Sequence, residues 1–147
     1  MITNADNIIK RIKTTVDIDS GEKIDYIVAG EIVEHLENPV DFLKEINRIY
    51  SGYVRRIVVT VPNILYYQYM LWALKSLEHN NTDHKYWFTP YTISKVLTCA
   101  GMRVSEILFV GNRHSLIQRM IHAFLRNNMI ISVSLICIAD LQESTTD

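Results

Sequence analysis

The chain has 147 residues, with 15 Lys plus Arg against 16 Asp plus Glu, a formal net charge of -1 and 48% hydrophobic residues. That length carries one domain with a real core, and the composition is that of an ordinary globular protein. The near-neutral balance excludes the basic footprint of a nucleic-acid or anionic-membrane binder, so neither is an expected partner.

Asn7 to Lys13 reads as a short helical piece and Thr14 to Ile18 as a strand, followed by the polar turn Asp19-Ser20-Gly21-Glu22. Ile24 to Ala29 is a compact apolar run, the pattern of a buried parallel strand. Asn38-Pro39 is an ordinary helix start, and Val40, Phe42, Leu43, Ile46 and Ile49 then recur at helical spacing until Ser51-Gly52. Arg56 to Val61 is the next strand, stopped by Pro62-Asn63. Strand, helix and strand at these lengths form a βαβ unit with a right-handed crossover.

Leu65 to Leu77 is a helix rich in aromatics (Tyr66, Tyr67, Tyr69, Trp72), and a polar loop from Glu78 to Lys85 leads to Tyr86-Trp87-Phe88. Thr89 caps a helix over Tyr91 to Ala100, with Gly101 past its end. Val104 to Val110 is a strand, Ser115 to Arg126 a basic helix with Arg113 and His114 before it, and Ile131 to Ala139 the closing strand. The pattern predicts a single α/β domain over residues 1–141, ending in an antiparallel strand pair, and a polar tail over 142–147. The amino terminus lacks an apolar stretch long enough for a secretory signal, and Met129 to Ala139 falls short of the roughly 20 residues that span a bilayer. Cys99 and Cys137 lie in apolar runs and read as buried reduced thiols. A cytoplasmic protein is the expectation.

Three stretches together resemble one family. Ile24 to Pro39 contains an apolar strand, the small residues Ala29 and Gly30, and then Glu31-Ile32-Val33-Glu34-His35-Leu36. Arg56 to Asn63 reads RIVVTVPN, and His84 to Pro90 reads HKYWFTP. In order and spacing these resemble the fourth strand, fifth strand and pre-sixth-strand segment of class I S-adenosylmethionine-dependent methyltransferases. The likeness runs from Ile24 to Val110 and more weakly to Ala139. It implies a Rossmann-like sheet and S-adenosylmethionine as cofactor, bordered by Ala29, Gly30 and Glu31. The family's glycine-rich turn has no counterpart: the glycines stand at 21, 30, 52, 101 and 111, and no G-x-G can be written. The resemblance therefore implies an amino-terminally truncated fold that lacks the main cofactor cradle.

Glu31, Glu34 and His35 stand at i, i+3 and i+4, which on a helix places them on one face. Two carboxylates and an imidazole there, with a histidine from elsewhere, suit a divalent cation. The plainer alternative is that they decorate the first turn of a helix. Some members of the family, the ubiquinone-pathway O-methyltransferases and the small-RNA 2′-O-methyltransferases, hold a divalent cation with Glu-x-x-Glu-His and a later histidine. The resemblance implies Glu31, Glu34, His35 and His84 as ligands of a cation such as magnesium, with His79 an alternative to His84. Without a metal, His35 or His84 is the candidate base. The expected acceptor is a small-molecule or glycan hydroxyl.

Three functions stay open: an active, O-directed methyltransferase; a non-catalytic remnant or subunit that docks a second chain, or another copy, through an open sheet edge; and a metal-binding domain. The aromatics at 66–72 and 86–88 are either core or pocket wall, and Arg113, His114, Arg119 and Arg126 either a solvated face or an anion contact.

Overall fold

The computed structural model describes residues 24–77, 82–111 and 129–142. Within them lie strand β1 (Ile24–Gly30), helix α1 (Pro39–Tyr50), strand β2 (Val54–Pro62), helices α2 (Tyr67–Leu74) and α3 (Pro90–Cys99), and strands β3 (Arg103–Val110) and β4 (Ser134–Asp140). Single 3-10 turns stand at Val33–His35 and Met129–Ile131. The elements expected at Asn7 to Lys13, Thr14 to Ile18, Asp19 to Glu22 and Ser115 to Arg126 lie outside the described residues, as do His79, Arg113, His114 and residues 143–147.

The sheet order is β1-β2-β4-β3. β1 and β2 are parallel with α1 between them in sequence, as the βαβ reading requires. β4 runs antiparallel to both β2 and β3, so the expected carboxyl-terminal pair is present. The last strand enters between β2 and β3 instead of extending the sheet beyond β3.

The core lies on one face of this sheet. Ile57, Val59 and Val61 of β2 and Leu135, Cys137 and Ala139 of β4 alternate inward and are fully buried. Phe42, Leu43, Ile46 and Tyr50 of α1 and Ile93 and Leu97 of α3 complete the cluster. α1 starts where the sequence says: the Asn38 side chain accepts a hydrogen bond from the Asp41 N–H, and Pro39 takes the first turn. α3 opens on a reciprocal Thr89–Thr92 capping box. It ends at Gly101, whose φ of 78° is left-handed, and an added Cβ would sit 3.3 Å from Asn47 Nδ2. Asn47 ties three elements: Nδ2 donates to Gly101 O (3.4 Å) and Gln142 O (3.0 Å), and Oδ1 accepts from Gln142 N (3.0 Å).

Two expectations need correction. β1 is parallel, yet it is an edge strand among the described residues, with Tyr26 50% and Val28 67% exposed. Its apolar run anticipated a neighbour on each side, and among the described residues only β2 is there. Cys99 is exposed on α3, whereas Cys137 is buried, and burial pushes its thiol up to about 12. On the face opposite the core, Tyr26, Arg56, Asp140 and Arg103 stand in register, and Arg56 Nε and an Arg103 guanidinium nitrogen each lie 2.9 Å from the Asp140 carboxylate. No helix of the described residues is long and apolar enough to cross a membrane.

Candidate metal centre

The site is built on the turn that leaves β1. The chain reverses at Glu31, whose φ of 48° lies in the left-handed region, a strained position for a side chain with a Cβ. Its N–H donates to both Thr60 Oγ1 (3.0 Å) and Thr60 O (3.1 Å), which holds the turn against β2. Gly30 is not what the turn requires. A Cβ at Gly30 would meet Thr60 Oγ1 at 3.6 Å, an ordinary contact, so its small size leaves open space rather than relieving a clash.

Beyond Glu31 the expected helix face does not form. Val33–His35 is one 3-10 turn, closed by the His35 N–H donating to Ile32 O at 3.0 Å. Leu36 is extended, with ψ at 153°, and α1 begins only at Pro39. Glu31 therefore precedes the turn, while Glu34 and His35 sit inside it.

The second wall is the strap Asp83 to Phe88. The N–H groups of Lys85 and Tyr86 donate to Glu34 O at 2.8 and 3.3 Å. Tyr86 Oη donates to Glu37 O at 2.6 Å. At the far end Ile64 N donates to Phe88 O at 3.0 Å, and Phe88 is buried. This anchoring brings His84 edge-on to His35, with ring centroids 4.7 Å apart at 78°. Ligand atoms of Glu34, His35 and His84 all lie within 4.8 Å of one another. Three of the four residues named from the sequence thus converge. Glu31 stands beside them, near enough for its charge to raise the pKa of both Glu34 and His84.

Glu34 is 0% exposed, and neither carboxylate oxygen has a hydrogen-bond partner among the described residues. A buried carboxylate without a hydrogen bond is costly, and here burial pushes its pKa to about 7, with the Glu31 charge adding to the rise. His35 Nδ1 lies 3.0 Å from Asp83 O. A carbonyl only accepts, so Nδ1 carries the proton, and in the neutral ring Nε2 presents a lone pair. That Nε2 lies 3.8 Å from Glu34 Oε1. Burial, followed by the charge of His35, lowers the His84 pKa and favours its neutral form.

Glu34 and His35 thus face each other without a hydrogen bond between them, and a cation bound there would satisfy the carboxylate. A carboxylate and two imidazoles with ligand atoms within 4.8 Å of one another are a donor set that fits a divalent ion. The decorated-helix alternative does not describe Glu34, which has no exposure at all. Among the aromatics, Tyr66 and Tyr67 are core, whereas Tyr69, Trp72 and Trp87 meet edge to face at 5.4–5.5 Å beside the strap. The Tyr86 hydroxyl and Thr60 were not singled out from the sequence. Their roles depend on a backbone carbonyl and a neighbouring strand, neither of which a local pattern reveals.

No protein-family model matches the sequence, and no curated protein does. Solved structures do match. A SAM-dependent methyltransferase from Archaeoglobus fulgidus is 22% identical, with a TM-score of 0.55 over 94% of this chain and 65% of that one. The small RNA methyltransferase HEN1 is 19% identical, with a TM-score of 0.54 over 86% of this chain and 15% of that one. Magnesium protoporphyrin IX methyltransferase from Synechocystis PCC 6803, solved with bound SAH, is 15% identical, with a TM-score of 0.51 over 86% of this chain and 49% of that one. The chain spans less than two thirds of each of these structures. Its mixed sheet and helices have the fold of the S-adenosylmethionine-dependent class I methyltransferases, of which it carries a part.

Proposed function

We propose that the chain is the acceptor-side part of an S-adenosylmethionine-dependent O-methyltransferase acting on a hydroxyl of a small molecule or glycan. The observation that carries this reading is the buried Glu34 carboxylate, free of hydrogen bonds and facing two imidazoles. It follows the carboxyl end of a parallel strand, where open α/β sheets place their ligands. S-adenosylmethionine, when bound, supplies an electrophilic methyl group, and Ala29, Gly30 and Glu31 would border it. A divalent cation such as magnesium would be held by Glu34, His35 and His84 with Glu31 beside them, and when bound it lowers the pKa of a nearby hydroxyl.

The chain's own residues do the remaining work. The cluster orients the acceptor hydroxyl and the aromatic wall of Tyr69 and Trp87 limits water; without a bound cation, His84 or His35 Nε2 accepts the hydroxyl proton. The rest of the cofactor wall comes from a second chain, or the site is a reduced one. Calorimetric titration with S-adenosylmethionine, with and without magnesium, tests the reading. Saturable binding, together with loss of methyl transfer but not of folding in Glu34→Ala/His35→Ala, supports it. No binding at millimolar cofactor removes it for this chain alone.

A second reading, a subunit without catalysis of its own, is supported by the exposed Tyr26 and Val28 on the β1 edge. An open edge strand pairs readily with another chain. Sedimentation velocity of the wild type and of Val28→Lys tests it: association that the lysine abolishes supports docking, and a monomer in both argues against it.

A further inference from the structure

We infer that α2 is a lipid-docking element, whose exposed apolar face enters the interface of a zwitterionic bilayer while the rest of the chain stays outside it. The inference goes beyond the proposed chemistry and depends on neither a metal nor a cofactor. From Ile64 to Leu77 the sequence holds one charged residue, Lys75, and no acidic one. Met70, Leu71 and Leu74 stand at i, i+1 and i+4, on one face of α2, and are 49%, 50% and 83% exposed. The other side of the helix is already occupied. There Tyr69 meets Trp72 and, across to the strap, Trp87, edge to face.

The end of the helix adds to the outward face. Ser76 N donates to Ala73 O and Leu77 N to Trp72 O, each at 2.9 Å, with Ser76 at a left-handed φ of 54°. Glycine usually makes this closure, and the residue after it commonly packs back on the helix. Here a serine takes the strain, and Leu77 is still 58% exposed.

Single exposed leucines are ordinary, whereas four apolar side chains in one short stretch form a patch that calls for a partner. Such a patch is a few hundred Å² in size. That is well short of the roughly 800 Å² each partner gives to a stable protein interface. An interfacial helix needs no such area, because it sinks one face only about 5–10 Å into the headgroup boundary. Lys75, exposed at the helix end, suits the phosphates of that boundary, its stem staying apolar. Entry by apolar contact also requires no basic footprint, in keeping with the net charge of -1. The eight residues of α2 are far too few to span a bilayer, so the helix lies in the plane of the surface.

The test is flotation of the whole chain with phosphatidylcholine vesicles at low and high salt. The proteins are the wild type, Leu71→Gln/Leu74→Gln, Leu77→Gln and Val28→Gln, with melting of each as the check on folding. Val28, exposed on the β1 edge, is the apolar control outside the patch. The wild type and Val28→Gln should float alike at both salt concentrations. Leu71→Gln/Leu74→Gln should partition at least about tenfold less, with melting unchanged. Leu77→Gln, past the helix end, should also float less, and it carries the test if the double variant melts early. No flotation of the wild type overturns the inference, as does flotation lost at high salt or lost equally in Val28→Gln. Sedimentation velocity without lipid examines the other occupant. Self-association of the wild type that Leu71→Gln/Leu74→Gln abolishes would assign the face to a second copy and overturn the inference as well.

Discussion

Glu34 and Asn63 are both fully buried polar side chains, and they could hardly differ more in how they are used. Asn63 ends β2 with its capacity filled: Nδ2 donates to Met129 O (2.6 Å) and Ser132 O (2.8 Å), and Oδ1 accepts from Leu65 N (3.2 Å). It locks the entry of β4 onto the end of β2. Glu34 is as deep and has no hydrogen bond to either oxygen. A satisfied buried amide stabilises a fold. An unsatisfied buried carboxylate destabilises it, and under the proposed function a bound cation is what offsets that cost.

Substitutions that exchange these roles break or sharpen the contrast. The largest effect is expected at Asn63. Asn63→Ala removes the donor to Met129 O and Ser132 O and the acceptor of Leu65 N–H, and should cost about 3 kcal/mol in chemical denaturation, with manganese affinity unchanged in the folded protein. Glu34 should behave in the opposite way. Its folded pKa, near 7, lies above the ordinary 4.5, so the folded state holds the proton more tightly. Its stabilising contribution is full below pH 4.5, falls as pH rises towards 7 and is gone above that. Denaturation at pH 5 and pH 8 should show this fall in the metal-free wild type and not in Glu34→Gln. Saturating manganese should restore stability at pH 8 in the wild type alone.

Glu31→Gly removes the left-handed strain and should raise metal-free stability by about 1 kcal/mol while weakening manganese binding, read by melting and titration of the same sample. Asp140 gives the smallest effect. Hydrogen bonds from Arg56 and then Arg103 hold its carboxyl below the usual range, so its contribution is present above about pH 4 and is lost as pH falls through the lowered value. Asp140→Asn should flatten that acid limb by less than about 1 kcal/mol, because the ion pairs are largely open to solvent and salt.

Much of the fold was legible locally. The Asn38-Pro39 start of α1, the Thr89 cap of α3 and the strand stopped at Pro62-Asn63 are short-range signals, and each forms as read. What was not legible depends on distant partners. An apolar strand such as β1 reads as buried whether or not a neighbour exists, and nothing in residues 134–140 says that β4 inserts beside β2. Glu34, His35 and His84 come together in the fold, but not on the single helix face that the i, i+3, i+4 spacing predicted for Glu31, Glu34 and His35. The left-handed φ of Glu31 was not legible, since glutamate has no preference for that region and Gly30, one residue earlier, looked like the natural turn. Asn63 read only as a strand stop; its three partners come from the chain on either side of β3.

The most direct test of the account is pulsed electron paramagnetic resonance on manganese(II) added to the whole chain. The account predicts one bound ion with two imidazole nitrogen couplings, one lost in His84→Ala and the other in His35→Ala, and no stoichiometric binding in Glu34→Gln. A bound manganese without nitrogen couplings, or none bound at all, would contradict it.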